Sequence, residues 1–80
     1  MSLRGYSFRL VQANQAADSK KIGVKLGRYC IGKDIPVYEV ADKFDVSRMT
    51  VYSWFTGASD PHPSKAEQIA AMLKRARFSI

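Results

Sequence analysis

The apolar residues between Val37 and Phe55 fall into two helical sets separated by a very short break. Val37, Val40, Ala41 and Phe44 have the i, i+3, i+4, i+7 spacing of one helix face, which predicts a short helix over 36–44. Val51, Trp54 and Phe55 mark the buried side of a second helix over 47–56, which begins at Ser47 and ends at Gly57. Serine suits the first position because its hydroxyl can accept from the unpaired N–H groups of a helix start. Only Asp45 and Val46 lie between the two helices, so they are expected to cross steeply. Ala41 supplies a small side chain at the crossing, and Asp45 is expected to take a left-handed backbone conformation, which Asp tolerates better than most side chains.

Upstream, Ile22, Leu26, Tyr29 and Cys30 repeat at helical spacing and predict one helix from Asn14 to Ile31, with Gly32 as its C-cap. Gly23 and Gly27 each cost that helix about 1 kcal/mol against alanine. Being four apart, they share a face on which another backbone can approach closely. Asp34 is available as an upstream cap for the helix that follows. Downstream, "ASDPHP" reads as a loop, and "SKAE" from Ser64 has capping-box spacing. Ala66, Ile69, Ala70, Leu73 and Ala76 then form the stripe of a last helix. Only "YSFRLV" near the start hints at a strand. The expected fold class is all-α, a compact bundle of four to five helices, with an N-terminal segment (1–13), a domain (14–77) and a tail (78–80).

The N-terminal segment leaves two readings open. Arg4 and Arg9 suit a basic arm that wraps a duplex, whereas Tyr6, Phe8, Leu10 and Val11 suit docking on the core or on a second copy of the chain. The density of apolar residues favours docking.

Composition narrows the class. Eighty residues with 46% hydrophobic content can bury one modest core. A net charge of +6 gives a polyanion an attractive field. Cys30 is the only cysteine, so no intrachain disulfide is possible, and no run approaches the roughly 20 apolar residues of a membrane span. A cytoplasmic protein is expected. One Cys and one His, His62 between two prolines, cannot build a four-ligand zinc site, and no catalytic constellation is visible. "GVKLG" lacks the GK[ST] of a phosphate loop. No enzyme, metal or cofactor is expected.

Two helices joined by a tight turn, the second opening at a polar cap, form the helix-turn-helix, whose second helix enters the DNA major groove. "VADKFDVSRMTVYSWFTG", residues 40–57, which covers most of the motif 37–56, resembles the helix-turn-helix of the Cro and phage-repressor family, the lambda-repressor-like DNA-binding domains. The likeness extends over Asp18 to Arg77, through the preceding helix, Pro61 and the following amphipathic helix. It implies a lambda-repressor-like fold and a sequence-specific regulator of transcription that binds double-stranded DNA. Such proteins are usually phage or bacterial repressors that dimerise on a near-palindromic operator. Two departures stand out: Asp45 occupies the usual turn glycine, and the chain has few elements beyond the fourth helix to dimerise. "VSRMTVYSWF" is also similar to segments of transposases, resolvases and excisionases.

With Val51, Trp54 and Phe55 inward, Met49, Ser53 and Thr56 point outward at 100° per residue, with Tyr52 on the flank. Arg48 lies at the end that goes deepest into a groove, and its guanidinium matches the O6 and N7 acceptors of guanine. Met49 can pack on a thymine methyl, and Tyr52 and Ser53 complete the base-reading set. Ser47, Thr50 and Thr56 suit phosphate oxygens, and Lys43, Lys33 and Arg28 are placed to contact the DNA backbone. Lys74, Arg75 and Arg77 can form a second basic patch. The alternative is a helix-turn-helix scaffold that binds a protein, such as host RNA polymerase or another phage or host regulator. Against it, the outward positions of the second motif helix contain no acid, although Glu39 and Asp42 precede it.

Overall fold

A computed structural model of the chain describes residues 6–76. Five helices follow one another: α1 (Phe8–Ala16), α2 (Ile22–Gly32), α3 (Val37–Phe44), α4 (Arg48–Thr56) and α5 (Pro63–Arg75). No strand forms among the described residues, and "YSFRLV" leads into α1 instead. Arg4, Arg77 and the tail 78–80 lie outside the described residues.

The single helix expected from Asn14 to Ile31 is two. Ser7 caps α1, its Oγ accepting from the Leu10 N–H at 3.1 Å, so helix starts well before Asn14 and inside the segment expected to precede the domain. The chain leaves the helix at Ala17 in an extended conformation. Asp18 Oδ1 then accepts from the Lys20 N–H at 2.9 Å. A local side-chain acceptor of this kind offers the backbone an alternative to the helical ladder, which accounts for the break.

α2 is the central element, packed on α1, α4 and α5. The face carrying Gly23 and Gly27 meets α4 so closely that added Cβ atoms would lie 2.8 Å from the Trp54 carbonyl oxygen and 2.9 Å from the Phe55 ring, as the four-residue spacing anticipates. Asn14, 1% exposed, ties this seam to α1: its Nδ2 donates to the Val24 carbonyl at 3.2 Å and the Phe55 carbonyl at 2.7 Å. Around it lie Leu26, Cys30, Val40, Phe44, Val51, Trp54, Ile69 and Leu73, all buried. Trp54 meets Phe44 edge-on at 6.1 Å, and Tyr6 stacks on Phe55 at 6.2 Å. Tyr6 also donates its hydroxyl to the Ile35 carbonyl. The expected docking therefore holds for Tyr6, and Leu10 and Val11 pack against the core, but Phe8 is 66% exposed because it stands on the outer side of α1. Arg9 stands on α1 and not on an arm.

α2, α3 and α4 end alike. Asp34, Asp45 and Gly57 have φ of 58°, 54° and 79°, and in each case the next N–H reaches back five residues: Ile35 to Cys30, Val46 to Ala41, Ala58 to Ser53, at 2.8, 3.0 and 2.9 Å. This is the Schellman closure, which satisfies orphan carbonyls at a helix end. Asp45 takes the left-handed conformation expected of it. Gly32, expected to cap α2, is its last residue, and the left-handed role falls to Asp34 two positions later. The N-cap of α3 is Pro36. α5 likewise starts before the expected Ser64: His62 is its N-cap, accepting from the Ser64 N–H at 3.2 Å, and Pro63 occupies the first turn, where its missing N–H costs nothing.

Three cations close helix C-termini from elsewhere in the fold. Arg28 donates to the Asn14, Gln15 and Ala17 carbonyls at 3.2–3.4 Å, Lys65 to the Phe44 carbonyl at 2.6 Å, and Lys21 to the Gly57 carbonyl at 3.0 Å. Each places positive charge at the negative end of a helix dipole.

Candidate nucleic-acid interface

α4 is held on its inner side and offered on its outer one. Ser47 fixes its start, with Oγ accepting from the Thr50 N–H at 3.1 Å, and the turn through Asp45 sets its direction from α3. Val51, Trp54 and Phe55 are at most 3% exposed, while Met49 is 76% exposed. Arg48 and Tyr52 are exposed beside it and Ser53 is half-buried. The four residues expected to read bases thus share one accessible stretch of one helix that contains no acid.

Arg48 and Tyr52 line a hollow with Asp34, from the link between α2 and α3, and with Tyr38 and Glu39 from the start of α3. Tyr52 also borders a second groove at the other end of α4, with Thr56 and with Ser7 and Arg9 from α1. Tyr38 is 52% exposed and Arg9 is exposed as well. Tyr38 was not among the residues expected at the interface, and Arg9 was expected there only as part of a basic arm. Sequence spacing on α4 does not reveal them, because they reach this surface through the packing of other helices.

The expected backbone contacts divide. Thr50 Oγ1 lies 3.0 Å from Ser47 Oγ; if Ser47 donates, the Thr50 hydroxyl proton is available to an outside acceptor. Thr56 donates its hydroxyl back to the Tyr52 and Ser53 carbonyls at 3.0 and 3.4 Å, which commits the proton a phosphate contact would use. Arg28 is placed differently from expectation, its guanidinium engaged by the end of α1. Lys43 lines the hollows on the α2 and α5 side, with Phe44 and Met72, and is not grouped with Arg48. Lys33 is exposed just after α2. Lys74 and Arg75 are exposed in the last turn of α5 and at its end.

Chemistry at Cys30 is disfavoured, since burial pushes its thiol up to about 12 and away from the reactive thiolate. Burial likewise raises Tyr6, with smaller contributions from Cys30, Tyr52 and Asp34. No group of three or more potential metal ligands occurs among the described residues. No helix among them is long and apolar enough to cross a membrane.

No family model matches the chain, and no curated protein or solved structure shows significant similarity to it.

Proposed function

We propose that the protein is a sequence-specific regulator that binds double-stranded DNA by laying α4 in the major groove, in the manner of a lambda-repressor-like helix-turn-helix. One observation carries the reading: Arg48, Met49, Tyr52 and Ser53 share an accessible stretch of a helix that itself carries no acid and whose opposite side is buried in the core. An exposed methionine beside an arginine is apt as a base-reading pair, Arg48 for guanine and Met49 for a thymine methyl. The α3–Asp45–α4 geometry, with its Schellman closure and capped α4 start, supports the same reading.

A second reading has one observation in its favour. Phe8, Tyr38, Met49 and Tyr52 are between 39% and 76% exposed, and large apolar groups of this kind also anchor protein partners. Selection of bound duplexes from a random pool separates the two. DNA reading predicts an enriched motif, and Arg48→Ala should lose about 1 to 3 kcal/mol confined to one base position. A two-fold symmetric motif would identify a homodimer, and a single half-site a monomer. No enrichment from the pool would refute the DNA reading and favour a protein partner.

A further inference from the structure

The grooves at the two ends of α4 differ in charge. Beside Arg48 the lining includes Asp34 and Glu39. At the other end, a groove of about 460 Å³ is lined by Ser7, Arg9, Leu10, Ala13, Tyr52 and Thr56, and Arg9 is the one charged residue in that lining among the described residues. Building on the DNA-binding reading above, we propose that Arg9 holds a phosphodiester of the same duplex at the rim of the groove that α4 enters. α1 then serves as a second contact element that does not read sequence.

The placement follows from helix geometry. Arg48, Tyr52 and Thr56 stand at i, i+4 and i+8, a stripe of about 12 Å, which is close to the width of the major groove. With Arg48 at the base edges, the far end of the stripe comes level with the sugar-phosphate strand bordering the groove, and Arg9 shares that end of α4. A guanidinium is always charged and can grip two phosphate oxygens at once. The first N–H groups of α1, at Phe8 and Arg9, have no partner within the helix and add to the attraction for an anion. The helix that carries Arg9 is also prepositioned. α1 is pinned by Asn14 on the Phe55 and Val24 carbonyls, and its approach by Tyr6 on Ile35 and Phe55, so the contact requires no ordering of a loose arm.

The test uses the full chain and a duplex enriched from the random pool, titrated across a salt series beside a scrambled duplex. Arg9→Gln should weaken binding to both duplexes by about tenfold near 0.15 M salt and reduce the slope of log affinity against log salt by about 0.9. The preference for the enriched duplex should be unchanged, as should thermal unfolding. Arg9→Lys should recover most of the slope. Unchanged affinity and slope in Arg9→Gln would show Arg9 to be solvated surface and overturn the proposal, and altered base preference would overturn it by making Arg9 a base reader. If the pool yields no enriched duplex, the DNA-binding reading itself fails and this inference with it. That outcome is distinct, because the failure then precedes any substitution.

Discussion

The inner and outer sides of α4 are built on opposite terms. On the inner side, Trp54 and Phe55 sit against Gly23 and Gly27, where even a methyl group would collide, and the Phe55 carbonyl accepts from a buried Asn14. On the outer side, Met49 is 76% exposed, Arg48 and Tyr52 are exposed beside it, and Ser53 is half-buried. The contrast teaches how to separate fold from function in a small domain. Residues whose identity is dictated by packing explain the pose of the helix, and residues that packing leaves unexplained are those a partner would select.

The largest expected effect tests the inner side. Phe55→Ala should cost about 3 to 5 kcal/mol in denaturant unfolding, because it empties a fully buried site that also stacks on Tyr6. A loss below 1 kcal/mol would mean that the seam is loosely packed. Gly27→Ala sharpens the same point. Alanine is the better helix former by about 1 kcal/mol, yet its Cβ would lie 2.5 Å from Asn14 Nδ2, so a net loss of about 1 to 3 kcal/mol is expected. A stabilised Gly27→Ala protein would contradict the close approach of α2 and α4.

A smaller effect concerns the turn that aims α4. Asp45 adopts φ 54°, a conformation glycine takes without strain, so Asp45→Gly should leave stability unchanged or raise it by up to about 1 kcal/mol. Asp45→Val should lower it by about 1 kcal/mol or more, since a β-branched residue is strained there. Weakening by Asp45→Gly, measured in the same unfolding assay, would place the turn elsewhere.

What could be read from the chain alone was local. The α3–α4 pair was legible because its spacing, its Ser47 cap and its two-residue break lie within twenty residues, and the steric demand on Asp45 follows from that break. Gly23 and Gly27 were legible as a contact face because a helix tolerates such a pair for few other reasons. The division between α1 and α2 was not, since "AADSKK" has no proline or glycine and the break depends on how Asp18 folds back on Lys20. Nor was the work of Asn14, whose partner Phe55 is 41 residues away, or of Arg28, which depends on where α1 ends. For the same reason the candidate surface was seen only as one face of α4. Arg9 and Tyr38 join it through tertiary packing, while Thr56 and Arg28 are drawn off by carbonyls that spacing does not reveal.

The proposed DNA-reading role assigns the outer face of α4 to a partner and not to the fold. Its most direct test is one paired measurement on Arg48→Ala: unfolding free energy beside the affinity ratio for an enriched duplex over the same duplex changed at a single base pair. Unfolding should move by no more than about 0.5 kcal/mol, while discrimination at one base pair falls by about 1 to 3 kcal/mol. An unfolding loss with discrimination intact would contradict the claim, because Arg48 would then belong to the fold and not to the reading surface.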